Sequence, residues 1–237
     1  MFDFERLKVL VGIIGLFTVI TVFNNYSYLI SDSLEQIINI SFLDPIISSL
    51  VSVAVVLIPT FIFVYWSIDE GIAQYTNFEW ISTEEHKDSL TMGLIYTFVV
   101  YGVLVIVIGL IGIEPATNEI EQLLQENPLR FPLMLISTAI ITPLVEEFIF
   151  RGVIQQRLHG YFNPTTAIGL ASVFFAAIHL VVLEGSLMQM ATYLAIVGGV
   201  GAVWGYMYYK SENLLVPIIL HGVYNGILFT LLFIGSI

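Results

Sequence analysis

The chain has 237 residues, of which 57% are hydrophobic and only 11% are charged; its mean hydropathy of +0.92 is that of an integral membrane protein, since soluble domains carry about 25% charged residues. It has no cysteine, which excludes a disulfide framework and a thiolate ligand or nucleophile. The formal net charge of −12 argues against binding to nucleic acid and against a polybasic contact with anionic lipid.

Apolar runs recur along the whole chain, each near the length of about 20 helical residues that crosses about 30 Å of hydrocarbon. The first lacks an Ala-x-Ala cleavage pattern, so we interpret it as a retained anchor and not a signal peptide. The sequence therefore predicts an all-α, polytopic membrane helical bundle in a single domain, residues 1–237. The seven predicted spans are Leu7–Phe23, Ile46–Trp66, Leu90–Ile113, Phe131–Leu158, Pro164–Leu183, Leu187–Tyr209 and Leu214–Ile234.

The acidic segment Glu114–Asn127 contains four glutamates, and we interpret it as a solvent-exposed or interfacial loop. Eight helices is the alternative count if this segment contains a re-entrant turn. The basic residues favour a cytoplasmic N-terminus and an external C-terminus, because the positive-inside rule counts Lys and Arg and largely disregards acids. In that orientation the cytoplasmic side holds Arg6, Lys8, Lys87, Arg157 and Lys210, whereas Arg130 is external and Arg151 lies within a span.

Three charged residues interrupt the fourth span, in the stretch Pro143-Leu-Val-Glu146-Glu147-Phe-Ile-Phe-Arg151. A charge at bilayer depth costs roughly 2.5–3.5 kcal/mol on insertion scales, so such a cluster indicates a site. Glu147 and Arg151 are spaced i,i+4 with the acid first, which favours an ion pair. Glu146 points about 100° away around the helix and is left free for chemistry.

Two histidines lie in later apolar spans, each paired with a second residue four positions away: Phe175 with His179, and His221 with Asn225. The short turn Gly160–Asn163 makes an antiparallel hairpin of the fourth and fifth spans. It should bring Glu146 and His179 to similar heights, with His221 at a compatible depth. We predict that these polar side chains share one cavity. The remaining histidines, His86 and His159, lie in polar, loop-like contexts and are predicted to be solvated.

These residue types suit two kinds of hydrolysis. A carboxylate and an imidazole can deprotonate a water as it attacks a carbonyl, while a second imidazole and an amide donate to the oxyanion. Alternatively, Glu146, His179 and His221 can hold a divalent metal such as zinc and activate its bound water. Serine and cysteine mechanisms find no support, because the chain has no Gly-x-Ser-x-Gly motif and no cysteine.

Three motifs, in order and on apolar spans, resemble those of the CPBP family, which comprises CAAX prenyl endopeptidases, Abi proteins and bacteriocin-processing proteins. They are Glu146-Glu147-x-x-x-Arg151, Phe175-x-x-x-His179 and Asn213-Leu-Leu-Val-Pro217-Ile-x-x-His221-x-x-x-Asn225. The resemblance covers residues 129–237, which would be the catalytic core, and implies an intramembrane glutamate-type protease.

The resemblance also implies roles. Glu146 and His179 would activate water, and His221 and Asn225 would stabilise the oxyanion. The supporting residues would be Glu147, Arg151 and Phe175, the last by packing. Members are described both as zinc metalloproteases and as metal-free enzymes, so the metal stays open. The substrate would be a peptide or protein, prenylated or otherwise membrane-associated, at the plasma membrane; no oligomeric state follows.

Two other functions fit a buried Glu–His cluster. A non-proteolytic membrane protein, conferring immunity or regulating a partner, would retain its function without Glu146. A proton-coupled transporter would use the same residues as a relay, but it predicts inverted repeats with broken helices, and no repeat relates the two halves of this chain. Gly201-x-x-x-Gly205 permits close helix packing and is by itself only a weak dimerisation signal.

Overall fold

The computed structural model describes residues 4–38, 44–67, 77, 79–118 and 131–236. Within these ranges the chain forms seven long helices: α1 (Phe4–Ile38), α2 (Asp44–Ser67), α3 (Glu84–Ile111), α4 (Phe131–His159), α5 (Pro164–Val182), α6 (Leu187–Ser211) and α7 (Leu215–Ser236). Two short strands, β1 (Thr117–Asn118) and β2 (Leu183–Glu184), pair antiparallel, with Thr117 opposite Glu184.

Each helix covers one of the predicted spans to within two residues at either end, with Ile113, Leu183 and Leu214 just outside their helices. This confirms the all-α polytopic bundle. Among the described residues, α3 to α7 are long and apolar enough to cross a membrane, and α2 contributes a shorter apolar stretch, Val56–Tyr65. Helix α1 continues past the end of its predicted span, Phe23, to Ile38. The predicted loop Glu114–Asn127 is described only as far as β1, so its remaining residues, and with them the eighth helix, lie outside the described residues.

Local sequence signals explain where the helices begin and end. Helix α3 starts after Thr83, whose side chain accepts a hydrogen bond from His86 N, and it ends at Gly112, which adopts a φ of 74° as helix-terminating glycines do. Helix α5 starts after Asn163, whose side chain accepts from Thr166 N, with Pro164 as its first residue. The predicted α4–α5 hairpin is therefore present and has a defined register.

Helix α4 is not a regular α-helix. Two π-helical stretches, Ser137–Ile141 and Phe148–Gln155, flank a short α-helical segment, Thr142–Glu147, that ends with the two adjacent glutamates. Every residue of the second π-helical stretch is buried. Turns of this kind occur frequently at functional sites, and here they set the direction in which the charged side chains of α4 point.

Helix α6 packs against α3, α5 and α7, and its glycines allow α4 and α5 to come close. A Cβ on Gly201 would lie 2.8 Å from Phe175 Cδ1, and one on Gly205 would lie 2.6 Å from Gln155 Oε1. The Gly201-x-x-x-Gly205 pair is therefore used for packing within the chain.

Candidate active site

A buried ion pair forms the base of the site. Arg151 Nε donates to Glu147 Oε2 at 2.9 Å, and both side chains are 0% exposed. The guanidinium also lies over the Phe175 ring, 5.2 Å from its centroid, a distance at which cation–π attraction operates. The i,i+4 pair predicted from the sequence is thus present, with Phe175 packed against it.

Glu147 has a second partner that the sequence did not indicate. Its Oε1 lies 2.9 Å from His221 Nδ1 on α7. Because a carboxylate paired with arginine is ionised and can only accept, Nδ1 carries the hydrogen of this bond. Glu147 therefore orients the His221 ring and leaves Nε2 facing the interior of the site.

Glu146 is the carboxylate that faces His221 Nε2. The two atoms Glu146 Oε2 and His221 Nε2 are 3.8 Å apart, too far for a direct hydrogen bond and a separation that one bridging water spans. Among the described residues Glu146 Oε2 is buried without a hydrogen-bond partner, while the Glu146 side chain as a whole is 21% exposed. Of the two adjacent acids, Glu146 is the one with an oxygen free for chemistry.

The charges of this cluster balance only when it carries one extra proton. Glu146, Glu147 and Arg151 together sum to −1 when all are ionised, and burial makes an uncompensated charge costly. A proton on His221, or on Glu146, brings the cluster to neutrality. The two candidate atoms, Glu146 Oε2 and His221 Nε2, are 3.8 Å apart. A proton can therefore pass between them through one bridging water.

His179 lies on the other side of Phe175. Its Nδ1 is 2.9 Å from the Phe175 carbonyl oxygen, which can only accept, so the neutral ring presents a lone pair on Nε2. Phe175 meets the His179 and His221 rings edge-on, at centroid distances of 5.3 and 5.7 Å. In the described part of the chain no hydrogen bond or ion pair joins Glu146 to His179. The aromatic ring lies between the two imidazoles.

Asn225 follows His221 by one helical turn. Its Nδ2 donates to the Thr138 carbonyl oxygen at 2.9 Å, in the first π-helical stretch of α4. The amide has a second N–H hydrogen, which remains available for a ligand. This bond and the Glu147–His221 bond together tie α7 to α4 on both sides of Gly222.

The region that carries the site is similar to known proteins. Residues 128–227, which contain all seven residues of the predicted site, match the family described as "Type II CAAX prenyl endopeptidase Rce1-like". This part of the chain is similar to CAAX prenyl endopeptidases.

One curated relative supports the same family. Over 94 residues the chain is 31% identical to YdiL of Bacillus subtilis (strain 168), whose name assigns it provisionally as a membrane peptidase. The alignment covers 40% of this chain and 35% of YdiL, so the chain spans about a third of the length of that relative. No solved structure matches the chain.

Sequence reasoning missed Trp204 of α6. Its indole stacks on the His221 imidazole, with ring centroids 4.2 Å apart and planes 20° from parallel. Its Nε1 donates to Thr97 Oγ1 on α3 at 3.1 Å. One tryptophan among many aromatic residues in apolar spans carries no local signal of such a role.

The prediction that His86 is solvated is wrong, and His159 is only partly solvated. His86 is only 7% exposed, because the first turn of α3 packs on the α6–α7 turn, where Asn213 Nδ2 lies 3.5 Å from His86 Nδ1. His159 is half-buried, its ring is 5.2 Å from that of Tyr209, and its Nε2 has no hydrogen-bond partner among the described residues. Packing between helices buries His86 and half-buries His159, and hydropathy does not report such packing.

A polar cleft opens where the ends of α4 and α6 meet. It has a volume of about 450 Å³ and is lined by Asn77, Gln155, Gln156, His159, Tyr208, Tyr209 and Glu212. Gln155 Nε2 donates to the Gly205 carbonyl oxygen at 2.9 Å, and Gln155 follows Arg151 by one turn. The cleft therefore ends close to the buried ion pair of the site.

The donor types of the site suit zinc, but their positions do not. Two imidazoles with anchored Nδ1 atoms and one carboxylate resemble a zinc ligand set with its outer shell. However, among the described residues no three His, Cys, Asp or Glu side chains converge closely enough to hold a metal ion. We therefore propose no catalytic step that involves a metal. The alternative prediction, that activity depends on a metal, is tested by chelation.

Proposed function

We propose that this protein is an intramembrane peptidase that hydrolyses a peptide bond with a water activated by Glu146. The observation that carries the proposal is the relation of Glu146 to His221: two polar atoms face each other at 3.8 Å, and a buried glutamate holds the far side of the imidazole. A carboxylate with a free, buried oxygen beside an oriented imidazole is suited to general acid–base catalysis.

For the attack on the peptide bond we assign the extra proton of the cluster to His221. In the neutral cluster with both glutamates ionised, His221 carries protons on both nitrogens, and its Nε2–H is a donor. His179, with its Nδ1–H bonded to the Phe175 carbonyl, offers an acceptor at Nε2. Glu146 and His179 are then acceptors for the hydrogens of a water, whereas His221 is a donor for a developing negative charge.

Hydrolysis proceeds in two steps on these assignments. Glu146 takes a proton from water as the water oxygen bonds to the carbonyl carbon, and His179 Nε2 orients the water by accepting a hydrogen bond from its other O–H, which stays intact. The oxyanion receives hydrogen bonds from His221 Nε2–H and the second amide hydrogen of Asn225. Glu146 then returns its proton to the amide nitrogen as the C–N bond breaks, releasing an acid and an amine.

The substrate we propose is a peptide or protein segment held at the membrane, with a prenylated C-terminus as the first class to test. This proposal is supported by the name of the matched family and by the position of the site among helices apolar enough to span a bilayer. From the distribution of basic residues we further propose a cytoplasmic N-terminus and an external C-terminus, and from the family resemblance a location in the plasma membrane.

The test is cleavage of prenylated and unprenylated peptides by the purified protein. Glu146→Gln and His179→Ala should each lower turnover by about 10²–10⁴-fold while the protein still inserts into membranes. The matched control is Glu85→Gln, which alters an exposed acid in the first turn of α3. Full cleavage by Glu146→Gln would remove the proposed base. If protection or partner regulation survived in that variant while no peptide were cleaved, the non-proteolytic function would be correct.

A further inference from the structure

Two contacts hold the His221 ring, one at its edge and one on its face. The hydrogen bond from Nδ1 to Glu147 fixes one edge of the ring. By itself, this bond still allows the plane of the ring to tilt about the line of the bond. The Trp204 indole restricts that rotation, since it lies nearly parallel to the imidazole at 4.2 Å. His221 Nε2 can therefore face Glu146 only while Trp204 keeps its orientation.

The orientation of Trp204 is in turn set from α3. Its indole N–H is the single donor of that side chain, and the bond to Thr97 Oγ1 at 3.1 Å satisfies it. Trp204 is 1% exposed and Thr97 is 0% exposed, so within the described residues water has no access to replace this bond. A buried indole that lost its acceptor would have to turn toward another one.

Helix α3 lies close enough to the site to set the orientation of Trp204. Gly93, one turn before Thr97, lies against Leu220, the residue that precedes His221, and a Cβ there would be 2.5 Å from Leu220 Cδ1. On the other side of Thr97, the Tyr101 ring meets Tyr224 edge-on at 5.6 Å. Two turns of α3, at Gly93 and Tyr101, therefore bear on α7 on either side of His221. The turn between them holds Trp204 of α6 through Thr97.

We propose that Thr97 and Trp204 are positioning residues for His221: the α3 hydroxyl fixes the indole, and the indole fixes the plane of the imidazole. Thr97 lies outside the family match at residues 128–227, so the catalytic core depends on a helix that precedes it. The proposal rests on the proposed function insofar as His221 contacts the reacting group, but the orientation of the ring is testable on its own.

The principal variant is Thr97→Val, which keeps the shape of the side chain and removes the acceptor. In the purified full-length chain it should lower kcat by about 10- to 100-fold, as small misplacements of catalytic groups do, and leave KM unchanged. Thr97→Ser, which restores the hydroxyl, should recover most of the loss. The matched control is Thr91→Val on the same helix, whose hydroxyl is exposed and bonds to the Lys87 carbonyl oxygen, and it should have no effect.

A second measurement does not need turnover. With ¹⁵N-labelled histidine, the NMR signals of the His221 ring, assigned by their loss in His221→Gln, should shift or broaden in Thr97→Val while those of His86 and His159 stay in place. Trp204→Phe keeps an aromatic face and removes the N–H. It therefore tests the positioning role if Thr97→Val does not accumulate in membranes.

The outcomes separate the two proposals. Wild-type kcat together with unchanged His221 signals in Thr97→Val or Trp204→Phe would overturn the positioning role, even if the melting temperature fell. Should the wild-type protein cleave no peptide, the proposed function would fail, while altered His221 signals in Thr97→Val would still support the positioning role.

Discussion

Glu147 accepts a hydrogen bond from His221 at 2.9 Å, across 74 residues of sequence and between two helices. The same carboxylate accepts from Arg151 on its own helix. One buried acid thus joins α4 to α7 and fixes the imidazole that faces Glu146. The ion pair is therefore part of the site's geometry and not only a means of neutralising a charge in the membrane.

Replacing Glu147 should affect both stability and activity. In Glu147→Gln the Arg151 guanidinium keeps its charge with no carboxylate beside it in a fully buried position. Breaking one partner of a buried pair costs about 3–5 kcal/mol, so the free energy of unfolding should fall by about that amount. Cleavage should also fall, because the one amide oxygen of glutamine cannot accept from both Arg151 and His221 as the two carboxylate oxygens do. Denaturant unfolding in detergent, beside the cleavage assay, measures both effects.

The double variant Glu147→Leu/Arg151→Met, which leaves no acceptor for His221, separates these effects. It removes the orphaned charge, so its stability should recover toward that of the wild type, whereas its activity should stay low. Glu84→Gln, which breaks the exposed pair with Lys87, serves as the control and should change little. A double variant that regained full cleavage would show that Glu147 does not act through His221.

The features that sequence reasoning predicted are local ones. Hydropathy gave the seven helices, Asn163 and Pro164 mark the start of α5, and i,i+4 spacing gave the Glu147–Arg151 pair. Each depends on residues within one helix or one turn, where spacing translates directly into geometry.

The remaining features depend on how helices cross. The His221–Glu147 bond, the stack of Trp204 and the burial of His86 arise between elements that are far apart in sequence. The π-helical stretches of α4 also change the direction of its side chains from that of a 3.6-residue repeat. The sequence paired Glu146 with His179 across the hairpin and put His221 at a compatible depth, but it did not indicate that His221 Nε2 lies 3.8 Å from Glu146 Oε2.

Removal of metal ions should leave the proposed cleavage activity unchanged. Among the described residues no trio of ligands converges on one point, and the assigned protonation states already provide an acceptor for the water and donors for the oxyanion. Dialysis against EDTA should therefore leave kcat unchanged, and mass spectrometry of the native protein should find less than one zinc per chain. Loss of turnover that added zinc restored would instead support zinc binding by Glu146, His179 and His221.

Adding a single methyl group at Gly222 should disturb the geometry of the site. It directly follows His221, and a Cβ there would lie 2.5 Å from the Ala139 carbonyl oxygen, a backbone atom that cannot turn aside as a side chain can. Gly222→Ala should push α7 away from α4, lengthening the bonds that His221 and Asn225 make to that helix. We expect a loss of about 1–3 kcal/mol in stability and at least a tenfold loss in kcat.

Gly226, one turn further along α7, provides the matched control. A Cβ there would lie 3.5 Å from the Ala139 side chain, which is ordinary contact, and alanine is the better helix former by up to about 1 kcal/mol. Gly226→Ala should therefore keep wild-type kcat and match or exceed wild-type stability. Equal behaviour of the two variants would mean that the approach of α7 to α4 does not set the position of His221, since only the Gly222 substitution forces the helices apart.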